Sequence, residues 1–158
     1  MLLKLELENW ASFRDRSTFS CVATRERQHR ERLPRVEKFR LSILPVAGIF
    51  GGNASGKTNL LKSLAFAKRF VVEGTRPDAA IPVRSFLLDP STASAPTLMR
   101  FELLIDDWVY DYHFAVDNKQ VLSESVTRIT SSSETVLYER NGSSFTFDET
   151  IRTRSDEE

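Results

Sequence analysis

The sequence predicts an α/β fold, in which a glycine-rich phosphate-binding loop (P-loop) joins a strand to a helix and an antiparallel β arm follows. Three patterns support it: period-2 alternation near the N-terminus and after residue 97, a continuous apolar run at 46–50, and helical periodicity over 57–72. The 158 residues suit one domain. We assign 1–158 to one lobe, with the first strands, P-loop and helix in 1–75 and the β arm in 97–148.

Composition limits the protein class. The 22 Lys and Arg residues balance 22 Asp and Glu residues, so net charge gives no support to a nucleic-acid partner, although a local patch can be basic on a neutral protein. Cys21 is the only cysteine, which excludes an intrachain disulfide. Charges interrupt the N-terminal apolar run, and no stretch reaches the roughly 20 apolar residues of a membrane span. We therefore expect a cytoplasmic protein with no membrane partner.

The N-terminal region predicts two strands and a polar segment. The first strand has leucine at every second position, namely Leu3, Leu5 and Leu7. A turn at 9–16 and a second strand at 18–23 follow. Residues 24–40 are rich in Arg and Glu, which predicts an exposed loop or a short polar helix.

The strongest motif is G-x-x-x-x-G-K-[ST] at residues 51–58, after an apolar run expected to be a strand buried on both faces. Glycines let successive N–H groups point at phosphate oxygens, and the following helix adds its positive end. Lys57, the one catalytic candidate, would reach the β- and γ-phosphates of ATP, and the Thr58 hydroxyl would ligate Mg²⁺. The expected nucleotide-binding residues are Gly51, Gly52, Asn53, Ala54, Ser55, Gly56, Lys57, Thr58 and Asn59.

The helix after this loop is predicted to run from about residue 57 to 72. Its apolar face is expected to consist of Leu60, Leu61, Leu64, Ala65, Val71 and Val72, with Ser63 elsewhere. Gly74 and Pro77 are stop signals, and a long connection at 76–96 follows.

The β arm is predicted from renewed alternation. Strands at 101–105 and 110–116 flank Asp106-Asp107, which indicates a hairpin. Leu103-Leu104-Ile105-Asp106-Asp107 also imitates a Walker B motif, but Glu102 interrupts its apolar run, so we favour the turn. Further strands are expected at 121–130 and 134–140, and Asn141-Gly142 predicts a turn before a short strand with Phe145 and Phe147. Asn118-Lys119-Gln120 imitates the guanine-reading N-K-x-D without its Asp, which favours another turn.

Other candidate features have plainer interpretations. The basic run could meet nucleic-acid phosphates or an acidic partner, yet we favour a solvated loop; it consists of Arg25, Arg27, Arg30, Arg32, Arg35, Lys38 and Arg40 with His29. His113 is expected on the polar face of its strand, and Cys21 is expected to be a small core residue. One cysteine and two distant histidines make no zinc site.

Two segments resemble known ATPases. Residues 7–14, L-E-N-W-A-S-F-R, resemble the opening L-x-N-F-x-S-F of ABC-type ATPases of the SMC, RecF and OLD kind. Residues 50–61 are similar to the F-G-x-N-A-S-G-K-[ST]-N-L-L of AAA-15/AAA-21-like bacterial ATPases of abortive-infection, Septu, PARIS and some retron anti-phage systems. Segments at 85–90, 96–97, 101–102, 110–117 and 137–140 also fit that group. Ala11 departs from it, since many relatives have a basic residue there.

The resemblance implies the N-terminal lobe of an ABC-type ATPase head. The signature motif, a convincing Walker B strand and an obvious Q-loop glutamine are absent, so we expect little turnover by this chain alone. Complete heads of this kind pair head-to-tail around ATP, which implies a homodimer or higher oligomer controlling an effector such as a nuclease or toxin. Two alternatives stay open: a non-catalytic, nucleotide-dependent assembly module, and a head fragment of a RecF/SMC-like DNA-maintenance ATPase. A self-contained small kinase or GTPase fits least well.

Overall fold

The computed structural model describes residues 1–24, 29–76 and 78–152. Its strands are β1 (Leu2–Glu8), β2 (Ser17–Ser20), β3 (Arg35–Val36), β4 (Leu41–Ser42), β5 (Thr97–Ile105), β6 (Trp108–Val116), β7 (Val121–Ile129), β8 (Glu134–Asn141) and β9 (Ser144–Phe147). The helices are α1 (Lys57–Glu73) and the short α2 (Glu149–Arg152), with 3-10 turns at Arg30–Arg32, Glu37–Phe39 and Pro90–Thr92. No helix in these ranges is long and apolar enough to cross a membrane.

One antiparallel sheet dominates the described chain. Its seven strands lie in the order β2-β1-β5-β6-β7-β8-β9, and β3 and β4 form a separate pair. The predictions made from period-2 alternation are confirmed: Leu3, Leu5 and Leu7 are buried, and the expected hairpins of the arm are present. Strand β1 lies between β2 and β5, so the N-terminal segment and the arm share this sheet.

Helix α1 packs on one face of the sheet and forms the main core there. The predicted span is confirmed, and the helix ends at Gly74, whose N–H donates to the carbonyl oxygen of Phe70. The predicted apolar face is wrong in part. Four residues of that face are exposed, namely Leu61, Ala65, Val71 and Val72. Ser63 is instead buried and donates its hydroxyl to the carbonyl oxygen of Leu60 at 2.6 Å. The helix therefore has apolar residues on two sides, and only one side packs on the sheet.

The ring of Phe114 lies at the centre of this core. Phe114 is 1% exposed, and its ring centroid lies 4.5 Å from that of Phe70 and 6.5 Å from that of Phe66 on the helix. Phe101 and Tyr112 of the sheet complete the cluster at 6.3 and 5.6 Å. Aromatic packing therefore joins the second half of α1 to β5 and β6.

The apolar run before the P-loop is not a strand, which corrects the expectation of a strand buried on both faces. Residues 46–50 pair with no strand in the described parts of the chain. Val46 is 82% exposed and Phe50 94% exposed. A continuous apolar run can be buried only where strands and helices are available to cover both its faces, and none of the described elements does so.

The turn at Asp106-Asp107 excludes the Walker B interpretation. Both residues have positive φ, 46° and 62°, as a two-residue hairpin turn requires, and they join β5 to β6. The Asn118-Lys119-Gln120 turn is also confirmed, since Asp117 Oδ1 accepts hydrogen bonds from the N–H groups of Lys119 and Gln120. Pro77 and the first part of the basic run, residues 25–28, lie outside the described residues, as do residues 153–158.

Candidate phosphate-binding site

The start of α1 is open to an anion. The helix begins at Lys57, and its N-cap, Gly56, has φ 93° and no side chain to cap the helix. The first N–H groups of a helix have no partner within the helix, and the helix dipole favours negative charge beside them. A phosphate group is the ligand that such a glycine-capped helix start suits best.

The side chain of Lys57 turns back onto the loop. Its ammonium donates to the carbonyl oxygens of Gly51 and Gly52 at 2.7 and 2.6 Å, and it lies 3.4 Å from the hydroxyl of Ser55. These are exposed contacts, and a hydrogen bond that competes with water is worth only about 1 kcal/mol. A phosphate could therefore replace the carbonyl oxygens as the partner of the ammonium.

Two of the motif glycines lie close to neighbouring serine side chains. A Cβ on Gly51 would lie 2.7 Å from the hydroxyl oxygen of Ser55, and a Cβ on Gly56 would lie 2.8 Å from that of Ser12. Gly52 has open space around its missing Cβ. Ala54 has φ 62°, an unusual conformation for a residue with a side chain. The loop is therefore tightly wound, as a backbone cradle for phosphate must be.

The first turn of the chain, residues 9–14, holds the start of α1. The indole N–H of Trp10 donates to the carbonyl oxygen of Asn59 at 3.0 Å, and the Asn59 amide donates to the Ser12 hydroxyl at 3.1 Å. Trp10 is buried and its ring lies 5.0 Å from that of Phe66. The side-chain amide of Asn59, an expected nucleotide contact, thus bonds to the turn at residues 9–14.

Asn9 fixes this turn to the connection that precedes β5. It is buried, its amide donates to the carbonyl oxygens of Thr92 and Ala95 at 2.9 and 2.8 Å, and its Oδ1 accepts from the N–H of Phe86 at 2.9 Å. The Thr97 hydroxyl donates to the Asn9 carbonyl at 2.8 Å. Asn9 and Trp10 received no role from the sequence beyond the resemblance at 7–14, because their partners are 49 or more residues away.

A cavity of about 1000 Å³ lies beside this turn. Ser12 and Asn59 line it on the side of the helix, and the connection at 83–88 lines it opposite. The phosphate loop and this cavity thus share the residues that join the first turn to α1.

Thr58 and Asn53, the remaining polar candidates, are exposed. In the described residues, the hydrogen bonds of Lys57 go to the loop itself and to no carboxylate. Asp106-Asp107 lies at the opposite end of β5 from Thr97, which contacts the first turn. At about 3.3 Å per residue, nine residues of strand separate the two by roughly 30 Å. The structure therefore brings the loop residues together, and among the residues it describes no carboxylate forms a hydrogen bond with Lys57.

The other candidate residues lie away from the loop. His113 is on the polar face of β6, 3.5 Å from Asp111. There the Asp111 carboxylate accepts from Arg100 at 2.7 Å, and this hydrogen bond raises the pKa of the Arg100 guanidinium. Cys21 follows β2 and packs, half-buried, beside Ile43, so the core position expected for it is only partly observed. The described residues contain no cluster of three or more metal-ligating side chains.

One family model matches residues 46–158, and its description is "AAA domain, putative AbiEii toxin, Type IV TA system". Neither the curated proteins nor the solved structures gave a match. The matched part begins with the apolar run before the P-loop and covers most of the chain, including α1 and the arm. The chain therefore belongs to this AAA_21 family and contains a P-loop domain of the ATP-binding, ATPase type.

Proposed function

We propose that this chain is the nucleotide-binding lobe of an ABC-type ATPase and that residues 51–58 hold the phosphates of ATP. The observation that supports this best is the ammonium of Lys57 inside a tightly wound loop, at a helix start that has only glycine as its cap. Lys57 would exchange its two carbonyl partners for phosphate oxygens. The Thr58 hydroxyl would hold Mg²⁺, which neutralises phosphate charge when bound.

A second apolar surface supports the view that this lobe is one part of a larger head. Leu61, Val71 and Val72 of α1 are exposed, as are Val46 and Phe50 before the loop. Water-exposed apolar groups on both the helix and the adjoining run favour burial by a further layer. In our proposal a further sheet of the complete head covers this surface and supplies the carboxylate that hydrolysis needs.

The biological role we propose is control of an effector in bacterial anti-phage defence. ATP binding would close a dimer of heads and hydrolysis would open it, with a nuclease or toxin as the controlled partner. Support comes from the resemblance of residues 50–61 and from the family description, which mentions a putative toxin of a type IV toxin–antitoxin system.

A non-catalytic assembly module is the second candidate. The observation that favours it is the lack of any contact between a carboxylate and Lys57 among the described residues. Such a module would bind ATP to organise partner subunits and would show no turnover even within a complete assembly.

Calorimetric titration with ATP and Mg²⁺ tests nucleotide binding directly. Lys57→Ala should raise the dissociation constant at least about tenfold, because a charge-assisted contact to phosphate is worth roughly 1.5–3 kcal/mol. Lys62→Ala, on the exposed side of the same helix, is the matched control and should bind like the wild type. A parallel titration with GTP tests the preference for adenine. Equal affinity of the wild type and Lys57→Ala would contradict the proposal.

A further inference from the structure

The basic segment at residues 29–42 is folded onto the core. Strands β3 and β4 pair within it, and Ile43, which follows β4, is fully buried against Leu3 and Val109. The Ser42 carbonyl accepts from the N–H of Ala23 at 2.8 Å. Apolar side chains of the segment pack inward beside Ile43, namely Val36, Phe39 and Leu41. Its charged side chains are therefore left on the outside.

The segment concentrates positive charge on a chain whose net charge is +0. The described stretch 29–42 contains two acidic residues, Glu31 and Glu37, and more than twice as many basic ones, namely Arg30, Arg32, Arg35, Lys38 and Arg40. The acids face Arg32 at 3.9 Å and Arg35 at 3.1 Å in exposed pairs. Exposed ion pairs are worth at most about 1 kcal/mol, so an incoming anion can replace the carboxylate beside Arg35.

Three of these arginines line one cavity of about 450 Å³, namely Arg30, Arg35 and Arg40. The remaining lining includes the polar residues Thr24 and Ser42 and apolar side chains. Among the described residues that line it there is neither a carboxylate nor an aromatic ring. Three arginines around one cavity favour an anion with several oxygen atoms, which can exchange with their present partners, since a guanidinium group is a planar fork of donors.

We propose that this basic cavity binds the phosphodiester backbone of nucleic acid without reading the bases. Arginine forks suit phosphate, and hydroxyl groups such as those of Thr24 and Ser42 also donate to phosphate oxygens. Base stacking needs an exposed aromatic platform. Phe39 packs beside the core instead, and the Trp108 ring is covered by the Lys38 ammonium, 3.4 Å from its centroid. The contact is therefore electrostatic and independent of sequence.

This cavity is separate from the phosphate loop. Leu3 packs beneath the basic segment, whereas Asn9 fixes the first turn beside the loop. Six residues of strand at about 3.3 Å each place the two regions roughly 20 Å apart. A nucleic-acid backbone in the basic cavity would therefore leave the loop free for ATP.

Fluorescence anisotropy with a labelled duplex DNA of arbitrary sequence tests the proposal on the full chain. The logarithm of the binding constant should fall with the logarithm of salt concentration with a slope of about −2.7, if three phosphates are neutralised at about −0.9 each. Arg30→Gln/Arg40→Gln should reduce the slope to about −0.9 and weaken binding at low salt at least tenfold. A second duplex of different sequence should bind equally well.

Three controls make the outcome decisive. Lys62→Gln/Lys68→Gln removes the same charge from the exposed side of α1 and should bind like the wild type. Arg30→Lys/Arg40→Lys keeps the charge and should keep the slope, which separates charge loss from misfolding. A poly-glutamate peptide of equal charge should compete at least tenfold less well than unlabelled duplex. Absent binding, equal effects of the two glutamine pairs, or equal competition by the peptide would each overturn the proposal.

Discussion

The two ends of α1 lie in contrasting surroundings. The second half packs Phe66 and Phe70 against the buried ring of Phe114. The N-terminal end of α1 follows an exposed loop, and this end is fixed to residues 9–14 by the hydrogen bonds of Trp10 and Asn59. One helix thus joins a closely packed core to a site with little packing of its own.

Stability and site geometry therefore have separate physical sources in this helix. Buried apolar contacts, including those of the aromatic rings, provide most of the free energy that holds α1 on the sheet, because burial of apolar area is the dominant stabilising term. The loop conformation depends instead on glycine and on a few hydrogen bonds worth about 1 kcal/mol each. Substitutions at the two ends should therefore act on different properties.

The largest effect is expected at the packed end. Phe114→Ala should lower the free energy of unfolding by about 3–5 kcal/mol, because it leaves a cavity where four aromatic rings meet. Urea denaturation followed by circular dichroism measures this change. Leu61→Ala, on the exposed side of the same helix, is the control and should cost less than about 1 kcal/mol. Similar losses in both variants would show that α1 is not held by this cluster.

An intermediate effect is expected at the loop end. Gly56→Ala should cost about 1–3 kcal/mol, since φ is 93° there and the new Cβ would lie 2.8 Å from the Ser12 hydroxyl oxygen. It should also weaken ATP binding, because the helix start would move away from the first turn. Gly52→Ala has open space around the new Cβ and should leave the free energy of unfolding nearly unchanged. Unfolding midpoints measured for the two variants test this difference. Equal midpoints would show that the positive φ and the contact with Ser12 do not matter for stability.

The smallest effect concerns pH at the far side of the core. Burial, aided by the 2.7 Å hydrogen bond to Glu124, raises the pKa of the Tyr112 hydroxyl. The unfolded chain then loses its tyrosine proton at about pH 10 while the native state keeps it, so stability is full below pH 10 and falls above it. Tyr112→Phe should reduce this fall by at most about 1.4 kcal/mol per pH unit. Urea unfolding at pH 8 and pH 10.5 measures it, and an unchanged difference would contradict this cause.

Strand positions could be predicted from the sequence because alternation reports directly which residues face a core. Leu3 and Leu5 show this in β1, and Asp106-Asp107 marks the hairpin. The P-loop could be predicted because its chemistry requires glycine and lysine at fixed spacing. Which individual residues of the P-loop contact the nucleotide stays a prediction.

Other features depend on tertiary partners that local patterns do not specify. The run at 46–50 is apolar enough for a buried strand, but no described element covers it. The packed side of α1 was misassigned because the helix has apolar residues on two sides, and the buried Ser63 satisfies its hydroxyl within the helix. Asn9 and Trp10 hold the site through contacts distant in sequence.

The most direct test of the central claim measures bound ATP and released phosphate in the same sample. We propose that this chain binds the phosphates through the Lys57 loop, and among the described residues no carboxylate forms a hydrogen bond with Lys57. With radiolabelled ATP and Mg²⁺, we therefore expect nucleotide that stays bound and intact, with phosphate release no faster than in Lys57→Ala. Sustained phosphate release by this chain, lost in Lys57→Ala, would contradict the account.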